Sequence, residues 1–142
     1  MELKIYFCGS IRGGRADAGL YRMMIDELKK YGRVLTEHVG DPKLTEFGGD
    51  GTNEEIWRRD TLWLDECGIV IAECTNPSLG VGYELAYAEA KGKPVHIFYG
   101  GEAGRLSAML AGDPNFTVHE YSGAEELIDK LRAVMDTYGK EN

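Results

Sequence analysis

Apolar residues in this chain recur in two rhythms. Near-continuous apolar runs at 3–8, 69–74 and 95–99, with shorter runs at 33–36 and 117–121, read as strands. Between them the spacing lengthens to that of a helix. Leu20, Met24, Ile25 and Leu28 form one stripe, closed by Gly32. Further helices are predicted at about 53–66, at 81–91 with Gly92 and Pro94 as the stop, around 106–111, and from about 124 to 138. The polar, glycine-rich stretch 37–52 reads as a long loop. Strand and helix alternation of this kind predicts an α/β fold. The expectation is a single domain over 1–142, a doubly wound five-stranded parallel sheet, flavodoxin-like or Rossmann-like, with helices on both faces and strand order 2-1-3-4-5.

A doubly wound sheet binds ligands where the chain reverses direction, outside the ends of its first and third strands. The loops there are 9–15 and 76–84, and both are rich in glycine. The first offers Ser10, the amides around Gly13 and Gly14, and the guanidinium groups of Arg12 and Arg15, an inventory suited to an anion such as phosphate. The plainer alternative is a solvated turn. In the second loop, Gly80 and Gly82 permit close backbone approach, and Glu84 falls in the predicted first helical turn, either as a fixed acid beside the anion site or as a complement to the helix dipole. Neither loop has the spacing of a P-loop or of G-x-G-x-x-G. Glu37, past the second strand, keeps a ribose-binding acid in play.

Ile56, Asp60, Trp63, Leu64 and Cys67 share one helical face, so Asp60 interrupts an apolar stripe. A carboxylate there is expected to be desolvated and poised as a general acid, paired with a neighbouring Arg, or turned toward a pocket. Tyr6, on the first strand, is either a core tyrosine or a hydroxyl that orients a carboxylate or sugar oxygen. His38, His96 and His119 lack metal-ligand spacing, and no serine sits in a nucleophile elbow, so neither a metal nor serine hydrolase chemistry is predicted.

Charge narrows the partners. Sixteen basic and twenty-four acidic residues give a net charge of −8, which argues against a nucleic acid polymer or an acidic membrane surface while leaving room for a small anion. Cys8, Cys67 and Cys74 are odd in number and form no C-x-x-C pair. Buried, reduced thiols in a cytoplasmic protein are the simplest account. No apolar run approaches membrane-spanning length, and no signal peptide is read at the start.

Four segments together carry a resemblance: Tyr6-Phe7-Cys8-Gly9-Ser10-Ile11-Arg12-Gly13-Gly14-Arg15, Leu35-Thr36-Glu37-His38-Val39, Pro77-Ser78-Leu79-Gly80-Val81-Gly82-Tyr83-Glu84-Leu85, and Leu106-Ser107-Ala108-Met109. In this order they resemble the 2'-deoxynucleoside 5'-phosphate N-hydrolases, within the nucleoside 2-deoxyribosyltransferase-like group. The resemblance implies cleavage of the N-glycosidic bond of a small deoxynucleotide without a cofactor. It implies Glu84 as nucleophile through a covalent intermediate, Asp60 as second acid and Tyr6 near the reacting carbon. Ser10, Arg12, Gly13, Ser78 and Gly80 match positions around the substrate phosphate, and Gly9 and Ile11 fall among the substrate-binding positions. Ser107 matches a serine supplied by the neighbouring subunit, so a homodimer with shared active sites is implied. A deoxyribosyltransferase and a non-catalytic nucleotide-binding module are the alternatives. Stretch 45–55 departs most from the family pattern and leaves base preference open.

Overall fold

A computed structural model describes residues 2–10, 18–40, 51–101 and 104–139. Its elements in chain order are β1 (Lys4–Gly9), α1 (Ala18–Leu28), β2 (Arg33–Val34), a 3-10 turn (Glu37–Gly40), α2 (Asn53–Glu66), β3 (Ile69–Glu73), α3 (Leu79–Ala90), β4 (Val95–Gly100), α4 (Ala108–Ala111), β5 (Phe116–Tyr121) and α5 (Gly123–Asp136). The strands form one sheet in the order β2-β1-β3-β4-β5, with every neighbouring pair parallel, as the apolar pattern predicted.

Alternate side chains of the central strands feed two cores. Ile5, Phe7, Ile69, Ile71 and Phe98 pack with α1 and α5 through Tyr21, Met24, Leu28, Leu127 and Leu131. Tyr6, Cys8, Val70, Ala72 and Ile97 face the other way, onto Leu64 of α2 and Val81, Leu85 and Ala88 of α3. Two faces covered by helices explain why β3 is apolar at nearly every position. They also place Tyr6 and Cys8, two residues apart, on the same face beside α2 and α3. No helix among the described residues is long and apolar enough to cross a membrane.

Several boundaries differ from the sequence expectation, each for a local reason. α3 starts at Leu79, not Val81, because the Ser78 hydroxyl caps it by accepting from Val81 N at 3.3 Å. Gly80 and Gly82 therefore lie in the first helical turn rather than in a loop, and Glu84 lies in the second turn. β2 stops at Val34: the Thr36 side chain takes over, its Oγ1 accepting from Phe7 N and donating to Phe7 O, both at 2.8 Å. α2 begins at Asn53 as expected, closed by a reciprocal cap between Thr52 and Glu55.

A buried acid network ties the strand ends that carry the second loop. Glu73, fully buried at the end of β3, accepts from Thr75 N at 2.9 Å, from Thr75 Oγ1 at 2.6 Å and from Tyr121 OH at 2.6 Å. Thr75 Oγ1 in turn accepts from Gly100 N at 2.8 Å. The ends of β3, β4 and β5 are thus joined at the point where the chain leaves for Ser78. Tyr121→Phe should lower stability by about 1.5–3 kcal/mol, the worth of one hydrogen bond to a carboxylate. Urea denaturation should show a lower midpoint at unchanged slope; an unchanged midpoint would mean that the network contributes nothing to holding the strand ends.

Candidate active site

Parallel pairing sets Gly9 opposite Glu73, so the ends of β1 and β3 open side by side where the strand order reverses. Gly9 has no room for a side chain: a Cβ would stand 2.7 Å from the Tyr21 ring. Tyr21 OH also accepts from Ser10 N at 3.0 Å, which fixes the start of the first loop. Ser10 is fully buried, and its hydroxyl has no hydrogen-bond partner among the described residues. Ile11, Arg12 and Gly13 lie outside the described residues.

Glu84 descends from α3 onto β1. Its Oε2 accepts from the Cys8 thiol at 3.4 Å, and the Tyr6 hydroxyl is a second hydrogen-bond partner of the same carboxyl. Gly80 borders the other oxygen: a Cβ there would lie 3.9 Å from Glu84 Oε1 and 3.8 Å from Ser78 Oγ. Gly80 thus leaves an open approach between the cap serine and the acid. Burial pushes the Glu84 carboxyl up from its usual 4.5 to about 7, with the Asp60 charge adding to it, while the bonds from Tyr6 and Cys8 and the charge of Arg59 pull it down. The same surroundings hold the Tyr6 hydroxyl and Cys8 thiol well above their ordinary values, burial first and Glu84 second, so both stay protonated and able to donate.

Asp60 reaches the same cluster from α2, within electrostatic range of both Tyr6 and Glu84. Of the alternatives open to it, the pairing with a neighbouring arginine is the one seen. Its side chain is 23% exposed and Oδ1 accepts from Arg59 Nε at 2.9 Å. Arg59 also lies 3.2 Å from His38 Nε2 and sits over the Trp63 ring, 4.9 Å from its centre. The strongly desolvated acid is Glu84 instead. Glu37 leaves the site and pairs with Lys29 at 3.2 Å.

Structure therefore brings together Tyr6, Gly9, Ser10, Ser78, Gly80, Asp60 and Glu84, but not Ser107. Ser107 caps α4, its hydroxyl accepting from Met109 N at 3.3 Å, and lines a groove of about 560 Å³ with Ser78, Gly82, Ala86, Leu106 and Met109. Gly82, Ala86 and Glu89 form one stripe of α3 facing that groove, and Glu84 points roughly 200° away from Gly82 around the helix. Sequence reasoning missed Cys8 and Arg59. Cys8 had a usable signal, its spacing of two from Tyr6 on one strand; Arg59 had only its place beside Asp60.

A doubly wound sheet with a half-buried, donor-held carboxylate at its switch point is the framework of a glycoside-cleaving enzyme. The chain belongs to the nucleoside 2-deoxyribosyltransferase family, whose description matches residues 5–124. It is 45% identical to the 5-hydroxymethyl-dUMP N-hydrolase of Mus musculus over 140 residues, 94% of this chain and 80% of that one. A Nematostella vectensis protein with the provisional name 2'-deoxynucleoside 5'-phosphate N-hydrolase 1 is 52% identical over 134 residues, 90% of each chain. Among solved structures, the CMP N-glycosidase BcmB of Clostridium botulinum shares the fold with a TM-score of 0.69 at 17% identity, covering 92% of this chain and 98% of that one.

The raised Glu84 value has a consequence for stability. Between about 4.5 and 7 the folded chain holds a proton that the unfolded chain has released, so this group's contribution falls as pH rises and its penalty is complete above about 7. The full penalty is ~3 kcal/mol, from roughly 2.5 pH units of displacement. Glu84→Gln removes it. The melting temperature of the variant, measured against the parent, should gain steadily from about pH 5 to about pH 8. A constant difference across that range would show that the acid is not displaced.

Proposed function

We propose that the chain hydrolyses the N-glycosidic bond of 2'-deoxynucleoside 5'-monophosphates to free base and 2-deoxyribose 5-phosphate. The observation that carries this reading is Glu84, half-buried, held by Tyr6 and Cys8, and open on the side of the exposed Gly80. The names of the relatives in Mus musculus and Nematostella vectensis support the substrate class. Ser10 supports the anion end: a buried hydroxyl with no partner among the described residues is costly by about 1–3 kcal/mol, and a phosphate oxygen would relieve it.

In the proposed first step a Glu84 oxygen bonds to the anomeric carbon as the C–N bond breaks, and the electron pair leaves with the base, which takes up a proton. Positive charge that develops on the sugar is stabilised by the carboxylate in a low-dielectric setting. In the second step water attacks the same carbon, the ester bond breaks and Glu84 is restored, with the water proton passing to solvent. Tyr6 orients the nucleophile. In this reading Asp60, anchored by Arg59, receives the attacking water on its second oxygen. Ser10, Ser78 and Gly80, with Gly9, Ile11, Arg12 and Gly13, hold the phosphate away from the reacting bond. Three free thiols fit action in the reducing cytoplasm.

Purified protein incubated with a panel of deoxynucleoside monophosphates should release free base, and a supplied acceptor base should not be converted to a new nucleotide. Glu84→Gln should bind nucleotide yet lose at least about a thousandfold in kcat, the scale of removing an essential nucleophile. Formation of new nucleoside products would instead identify a transferase, and near-normal base release by the pure variant would remove Glu84 from the chemistry.

A homodimer completes the proposed site. Leu79 and Met109 are 97% and 81% exposed beside the Ser107 groove, and Gly82 and Ala86 offer a surface that a second copy can approach closely. Such a copy would cover this apolar surface and lend its Ser107. Mixing Glu84→Gln chains with Ser107→Ala chains should then restore activity, because one site of each hybrid dimer has both residues intact. A monomer with full specific activity in sedimentation and matched assays would contradict the shared site.

A further inference from the structure

Resting on the reading of Glu84 as nucleophile, we propose that Cys8 is a positioning residue for the reaction: its S–H engages Glu84 Oε2 and thereby presents Oε1 to the sugar. Three observations meet at this contact. Cys8 is 1% exposed, and its sulfur lies 3.4 Å from Glu84 Oε2. Oε1 is the oxygen nearest the open side, within 3.9 Å of where a Cβ on Gly80 would stand. Alternation along β1 sends Tyr6 and Cys8 to the same face, so two donors meet one carboxyl from a rigid central strand.

The choice of sulfur has a chemical logic. A carboxylate held only by strong donors is fixed but weakly nucleophilic, whereas an S–H is a weak donor that orients the group while withdrawing little charge. Burial and the neighbouring carboxylate keep this thiol protonated, which is the state that donates. A buried cysteine that merely fills space would touch Glu84 without affecting its titration or its reactivity.

The measurement is the acid limb of the pH–rate profile, read with the S–H infrared band. Cys8→Ala should move the acid limb upward by about half a pH unit or more and lower kcat by up to about tenfold, with KM for the nucleotide little changed. Cys8→Ser should return the limb to the parent position or below it, because a hydroxyl is a stronger donor. In the uncomplexed protein, the S–H band that Cys8→Ser removes should move to lower frequency as Glu84 ionises and stay still in Glu84→Gln. An Ala variant with the parent's limb and kcat, or a band indifferent to pH, overturns the positioning role. A Glu84→Gln variant that turns over substrate overturns the nucleophile reading itself, and the band shift separates the two failures.

Discussion

A carboxylate removed from water loses solvation worth several kcal/mol unless other groups replace it, and the placement of Glu84 against β1 depends on how incompletely the protein does so. Tyr6 and Cys8 supply hydrogen bonds and Arg59 supplies charge, yet burial wins and the acid titrates near neutrality. A fully compensated carboxylate would be stable and inert. This one is oriented from two sides, and its ionised form is left less stable than it would be in water. A displaced titration of this kind is common at functional sites held on a rigid scaffold.

Rigidity comes from the sheet. Tyr6 and Cys8 stand on β1, which is laddered to β3 along this stretch and held on its other side by the Thr36 hydroxyl at Phe7, so backbone pairing and one side-chain clamp set their positions. Glu84 is delivered by a helix whose start is fixed by Ser78, itself three residues beyond Thr75 in the Glu73 network. Donors and acceptor therefore arrive from two independently braced elements. Asp60 comes from a third, α2, and Arg59 anchors it against Trp63 and His38. Its charge enters the site at a distance and raises the Glu84 carboxyl.

The architecture was legible in the sequence because it rests on periodicity: apolar runs for buried parallel strands, helical stripes between them, and glycine-rich turns at the two strand ends where topology places a ligand. Glu84, Ser78 and Gly80 could be named from that topology. What escaped depended on side-chain reach. Cys8 lies in a stretch where every residue is apolar, and nothing local says that its sulfur meets a residue 76 positions away. Asp60 interrupts a core stripe, a pattern that left desolvation, pairing and a pocket all open, and only the side chains themselves show the ion pair with the neighbouring Arg59. Glycine at 80 and 82 suggested loop, while one hydrogen bond from the Ser78 cap was enough to begin the helix earlier. Local composition is a weak guide where a single cap or pair decides the outcome.

Glu84 as the covalent nucleophile is the claim on which the functional account turns, and it can be tested on the protein itself. Rapid acid quench during turnover of a deoxynucleoside monophosphate, followed by peptide mass mapping, should find a deoxyribose 5-phosphate adduct on the peptide containing Glu84 and on that residue within it. An adduct located on another residue, or full base release with Glu84 unmodified under conditions that trap the ester, would contradict the account.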